Sequence, residues 1–213
     1  MKFFLFILIF YPFLAAQSNQ FWYSYNLDGQ QIGYAQVSYD WKKDESLFYK
    51  KKKKELKVNK QTEIEEISAV LESDYTLKSA YFSFTSGNTK SFQVITVGNT
   101  IIIQKEKEIL NLPLKKFYLE LEDFIRNITL NKNLKNGSIH EGFVLSTDRT
   151  KLSKATLKYL GKKKTIIPLD ETDSHFVKVT TNELKNFWAE AYQDEKGHLL
   201  NYKMGSFYVA ITS

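Results

Sequence analysis

Three histidines, His140, His175 and His198, are the residues with the most chemical range in this chain. No two of them stand at i, i+4 and no His-Glu-x-x-His occurs, so the spacing supplies no helical zinc pair, and no metal is expected. Asp173-Ser174-His175 holds the residue types of a hydrolase relay. Adjacent residues on a strand project to opposite faces, however, and cannot pass a proton along. With 0 Cys, the chain has no thiol nucleophile, no thiolate-held metal and no disulfide. It also lacks a Gly-x-Ser-x-Gly elbow, a phosphate-cradling loop and a Gly-x-Gly-x-x-Gly turn. Glu63, Glu65, Glu66 and Asp123 are the residue type of a glycosidase carboxylate pair, but their abundance fits solvated faces and ion pairs. The expectation is a protein that is not an enzyme and carries no cofactor.

Two other features stand out. Lys50, Lys51, Lys52, Lys53 and Lys54 are consecutive, in a chain with 30 Lys+Arg against 24 Asp+Glu and a net charge of +6. On a strand they divide between two faces. One reading is contact with anionic lipid headgroups or acidic envelope polymers. The other is an exposed or edge strand that lysines protect from pairing, with Glu63, Glu65 and Glu66 as cross-strand partners. Those glutamates, so close behind, argue against nucleic acid. The second feature is apolar: 16 Phe, 13 Tyr and 3 Trp. Phe92, Val94, Ile95, Val97, Ile101, Ile102 and Ile103 cannot all point one way on strands, which implies a sheet covered on both faces.

The elements that must position these residues follow from periodicity. Residues 1–16, MKFFLFILIFYPFLAA, have a positive start, an apolar run and small residues for cleavage, the pattern of a secretory signal. Residues 17–213 are expected to form one exported domain, periplasmic or secreted, with no later segment that could span a membrane as a helix. Phe21–Leu27 and Gln31–Trp41 alternate around Asp28-Gly29, a hairpin. Strands are expected at 47–58, 62–71, 75–84, 91–97 and 100–104. Leu114, Phe117, Tyr118, Leu121, Phe124, Ile125 and Ile128 then repeat at helical spacing, with Lys115, Lys116, Glu120, Glu122, Asp123 and Arg126 on the other face. Short strands return at 143–145, 155–160, 165–167, 176–180, 186–192, 199–204 and 207–211. The fold class is mainly β with one helix: a curved antiparallel sheet or half-barrel wrapping a helix near residues 114–129.

The opening Trp22-Tyr23 through Gly29 to Ile32-Gly33-Tyr34 resembles the start of the β-rich N-terminal region of bacterial exported transglutaminase-like proteins. The segment from Trp188 through Asp194 and Gly197 to Leu199-Leu200 resembles their closing hairpin. The plan is also similar, more distantly, to the half-open barrel of LolA-type lipoprotein carriers. The resemblance implies the fold and export. The Cys-His-Asp catalytic domain of those proteins would follow this region and is not in this sequence.

The function expected from these readings is that of an exported, non-enzymatic binding or carrier protein. It would hold a hydrophobic small molecule or lipid on the concave face, against Tyr25, Tyr39, Trp41, Tyr81, Phe92, Phe117 and Trp188. The alternative is an interaction module that docks on an envelope protein partner.

Overall fold

The computed structural model describes residues 19–58, 61–86, 88–97, 100–105, 108–113, 116–131, 133–146, 151–167, 170–184 and 187–212. The expected signal segment lies outside them, as does the side chain of Phe92. Eight strands form an uninterrupted meander: β1 (Asn19–Leu27), β2 (Gln30–Lys42), β3 (Leu47–Val58), β4 (Gln61–Glu72), β5 (Leu77–Ser86), β6 (Asn88–Val97), β7 (Thr100–Lys105) and β8 (Glu108–Pro113). A short strand, β9 (Phe117–Tyr118), leads into the helix α1 (Leu121–Asn131). A second meander follows: β10 (Ile139–Leu145), β11 (Leu152–Ile167), β12 (Asp170–Thr181), β13 (Ala189–Gln193), β14 (Leu199–Met204) and β15 (Phe207–Ile211).

All of them belong to one 15-stranded sheet, in which β1 pairs with both β2 and β15 and the two ends are β8 and β9. Every pair is antiparallel except β9 with β10. The chain leaves one end of the sheet at Pro113 and enters the other at Phe117. Four Cα–Cα steps of about 3.8 Å reach at most about 15 Å, so the sheet must curl until its ends nearly meet. Strands about 4.8 Å apart would make a round fifteen-strand wall roughly 23 Å across. Such a bore is wider than side chains alone can fill, and it has room for a helix about 10 Å in diameter.

The helix occupies that bore. Every residue from Asp123 to Thr129 is buried, although the sequence pattern assigns Asp123 and Arg126 to a solvent face. The helix is also shorter than its apolar spacing suggests. The Phe124 N–H makes the first helical hydrogen bond, to the Glu120 carbonyl, and the Asp123 carboxylate accepts the Glu120 N–H at 3.3 Å. This is a capping arrangement that starts the helix after Glu120. Phe117 and Tyr118 pair instead with Phe143 and Val144, and their side chains are buried in the same core.

Alternation sets what faces the helix. Ala35, Val37 and Tyr39, then Ile67, Ala69 and Leu71, then Ala80 and Phe82, are the buried phases of β2, β4 and β5. Ile101 and Ile103 continue the pattern on β7, whereas Ile95 on β6 is 36% exposed. The expected two-sided cover thus fails at Ile95, on the convex side of β6, while Phe176 and Leu200 are buried on the convex side next to the inward Val177 and Leu199. The Asp28-Gly29 turn has both residues at positive φ, 49° and 78°, as its two-residue hairpin requires.

Gly142 shows how closely helix and wall approach. A Cβ there would sit 2.7 Å from the Phe124 ring. Gly142→Val should therefore destabilise the protein by about 1–3 kcal/mol through overpacking, read as a lower urea midpoint at unchanged m-value.

Candidate functional site

The polar residues of α1 are met by polar residues of the wall. Lys50, with 0% of its side chain exposed, donates to both Asp123 oxygens at 2.9 Å and to Glu120 Oε2 at 2.8 Å. Lys52 donates to Glu120 Oε1 at 2.7 Å, and Lys54 pairs with Glu65. Tyr39 donates its hydroxyl to Glu122 and Asp123, both at 3.2 Å. Arg126 stacks over the Tyr39 ring at 3.8 Å and donates its Nε–H to the Gly197 carbonyl at 2.7 Å. Burial pulls the Lys50 pKa down, but Asp123 and Glu120 outweigh it and hold the ammonium well above its ordinary value. Lys52 behaves likewise: Glu120 overcomes its desolvation.

This overturns the surface reading of the lysine run. β3 is no edge strand but lies between β2 and β4. Lys50, Lys52 and Lys54 face the bore, where the helix carboxylates and Glu65 neutralise them, and only Lys51 and Lys53 face outward. The expected cross-strand partners do form: Lys53 reaches Glu66 at 3.0 Å and Lys54 reaches Glu65.

Below this ionic layer, around the N-terminal end of α1, the bore is not filled. Two adjoining cavities share Glu120, Leu121, Tyr202 and Phe207. One, about 330 Å³, is walled by Val144, Leu145, Leu184 and Met204 with Lys54, Glu65 and Glu183 at its polar side. The other, about 290 Å³, adds Tyr25, Lys52, Glu122, Ile125, Leu199 and Val209. Among the described residues the Tyr25 hydroxyl has no hydrogen-bond partner, and that of Tyr202 meets only the Met204 sulfur at 3.9 Å. Burial, slightly offset by Lys52 at Tyr25, raises both phenols and keeps them neutral. The site thus combines an apolar wall, two uncommitted hydroxyls and a rim of paired charges.

Of the aromatic residues expected to line the concave face, Tyr25 lines the cavity. Tyr39 lies deeper, bound into the ionic layer, and Phe117 is fully buried in the core. Trp41 stands at a margin of the wall, 42% exposed and packed on Phe48 at 4.4 Å, and Trp188 is 43% exposed before β13. Tyr81 does not face the helix. Ala80 and Phe82 are the buried phase of β5, which sends Tyr81 to the convex face at 50% exposure. Sequence reading missed Tyr202, Met204 and Phe207. Their strands were legible, but nothing in the sequence shows that β14 and β15 run past the start of the helix.

The histidines do not converge. His198 Nδ1 lies 2.7 Å from Asp194, and its ring packs on Phe21 at 4.2 Å. His175 contacts the Tyr159 hydroxyl at 3.1 Å. His140 Nε2 lies 3.1 Å from the Ser138 hydroxyl, and among the described residues no nucleophile hydrogen-bonds the His198 ring. No group of three metal-binding side chains is present among them either, and no helix is long and apolar enough to cross a membrane.

No protein-family model matches the chain, and neither does any curated protein. Among solved structures it is similar to a β-barrel-like protein of the domain of unknown function DUF1849 from Brucella abortus. The TM-score is 0.63 at 8% identity, covering 90% of this chain and 93% of that one. A DUF1089 family protein from Pseudomonas aeruginosa gives a TM-score of 0.49 at 14% identity, over 81% of this chain and 90% of the other. The first similarity establishes a β-barrel-like fold.

Removing one partner of a buried ion pair strands the other. Lys50→Met should cost about 3–5 kcal/mol in urea unfolding, while Lys50→Met with Asp123→Leu should recover much of the loss. Lys51→Met, on the outward phase, should shift the midpoint negligibly.

His175 gives a pH signature. Burial first, then Lys162, lowers its folded pKa below the ordinary value of 6.5, against weaker opposition from Glu195 and Asp194. The unfolded chain therefore binds the proton more readily, and the neutral ring's contribution to stability, intact above about pH 6.5, is lost as pH falls. Between pH 7.5 and 5.5 the wild type should lose more thermal stability than His175→Gln.

Proposed function

We propose that this protein is an exported, non-enzymatic binder of amphipathic molecules, held in the bore beside the N-terminal end of the helix. The observation that carries this reading is the half-apolar cavity of about 330 Å³ with its 290 Å³ neighbour, a size suited to a small ligand. An acyl or similar chain would displace water from Leu121, Val144, Leu145, Met204 and Phe207, at about 25 cal/mol per Å². Its polar end would meet the Tyr25 and Tyr202 hydroxyls and the Lys54–Glu65 rim. Export through a cleaved segment at 1–16 belongs to the same proposal, and it would bring the protein into contact with envelope lipids. The resemblance to LolA-type carriers supports this reading at the level of a β-wall around a helix.

A docking role has one observation in its favour. β8 ends the sheet, and its Ile109 is 62% exposed, an edge that could accept a strand of an envelope protein. A stoichiometric protein partner recovered from an envelope fraction, with no bound lipid, would favour docking over carriage.

The carrier reading predicts that protein stripped of lipid binds a fluorescent fatty-acyl probe. Val144→Trp or Met204→Trp would fill the larger cavity. Losing about 60 Å² of apolar contact costs about 1.5 kcal/mol, so binding should weaken by about tenfold or more with an unchanged far-UV spectrum. Absence of probe binding by the wild type, together with no lipid in native mass spectra, would end the proposal.

A further inference from the structure

The convex face carries a second built surface, independent of the bore. The register aligns two rows of outward side chains across four strands. One is Gln20, Ser38, Lys51 and Ser68, and the other is Trp22, Gln36, Lys53 and Glu66. A groove of about 370 Å³ lies among them. Aromatic rings bracket it. Trp22, 37% exposed, leans on Tyr34 at a ring separation of 6.0 Å at the β1–β2 end. Tyr81, 50% exposed, stands on β5 directly opposite Ser68. From β1 to β5 is four strand spacings, roughly 19 Å.

The chemistry of this groove is selective. Its floor is amide and hydroxyl, groups that both donate and accept hydrogen bonds, as sugar hydroxyls do. A protein interface would need an apolar centre, and the groove has polar side chains there. A nucleic acid would need a surplus of cations, but Lys53 is neutralised by Glu66 at 3.0 Å. Among the described residues Lys51 makes no ion pair. A lipid tail would find no wall. What remains is a chain of rings with apolar C–H faces and polar edges, for which exposed aromatic rings at the ends are stacking platforms. We propose that the convex face over β1–β5 binds a glycan strand. Trp22 and Tyr81 stack on its sugar rings, Gln36, Ser38 and Ser68 bond its hydroxyls, and Lys51 favours an acidic substituent.

The test is titration of the full-length protein, in the form in which it is purified, with cellohexaose, chitohexaose and oligogalacturonate, followed by tryptophan fluorescence and calorimetry. The expected result is saturable binding of at least one, strongest for the acidic oligomer. Trp22→Ala and Gln36→Ala should each weaken it at least fivefold, and Lys51→Ala should remove the preference for the acidic oligomer. These side chains lie outside the core, so melting temperature and acyl-probe binding should stay unchanged and report an intact fold. No binding of any oligomer at millimolar concentration would overturn the proposal. So would binding that both Trp22→Ala and Gln36→Ala leave intact, or a preference for duplex DNA over all three.

Discussion

A lysine with no exposed side-chain surface, gripping a helix carboxylate from the wall of a barrel, is the constraint around which this molecule is arranged. Lys50 and Asp123 cannot be separated without stranding a charge away from water. Their pairing therefore fixes the depth and rotation of α1 within the bore. Apolar contacts alone would not do this, because a helix buried all round can slide or turn among similar side chains at small cost. The two carboxylate oxygens of Asp123 and the single ammonium of Lys50 meet in one place only. Lys52 on Glu120 and Tyr39 on Glu122 repeat the attachment within the same turn. At the middle of the helix, the Gly197 carbonyl accepts from Arg126 and also from Gln193.

Fifteen strands make this attachment necessary. A smaller barrel fills itself with side chains, whereas one of this width needs an internal element. That element must arrive through the seam, since the chain passes from β8 to β9 there and turns inward at Glu120. The helix carries its own charges inside because its first turn lies where β3 can answer them. Interior lysines at every second position of β3 are the counterpart of interior acids at the start of α1.

Much of the architecture was legible because strand alternation and two-residue turns are local signals. The Asp28-Gly29 hairpin, the pairing of Lys53 and Lys54 with Glu66 and Glu65, and the existence of a helix at Phe124–Ile128 all follow from neighbours in sequence. What was not legible depends on closure. β8 reads only as a short Glu-Ile-Leu-Asn-Leu-Pro segment, and its role as a sheet edge depends on where the other edge lies. The 155–160 and 165–167 strands are one, β11, whose register shifts between Tyr159 and Lys162 near Gly161 at φ +92°. Lys50 looked like surface because hydrophobic patterning treats a charge as an outward residue. It cannot register that the inside of a wide barrel holds a helix with carboxylates of its own.

The empty space has the same origin. Asp123 must reach both Lys50 and the Glu120 N–H, so the helix begins at a fixed level. β10, β14 and β15 continue past that level with Val144, Met204 and Phe207 still lining the space. No turn of helix remains to cover them, and extending α1 backward would pull Phe117 and Tyr118 out of their pairing with Phe143 and Val144. The ionic grip that seats the helix thus also leaves its N-terminal side uncovered. On β1 and β3 the alternation that turns Tyr25, Lys52 and Lys54 inward to that space turns Trp22, Lys51 and Lys53 outward to the groove. One sheet in this way carries two surfaces of opposite character, separated by a single layer of backbone.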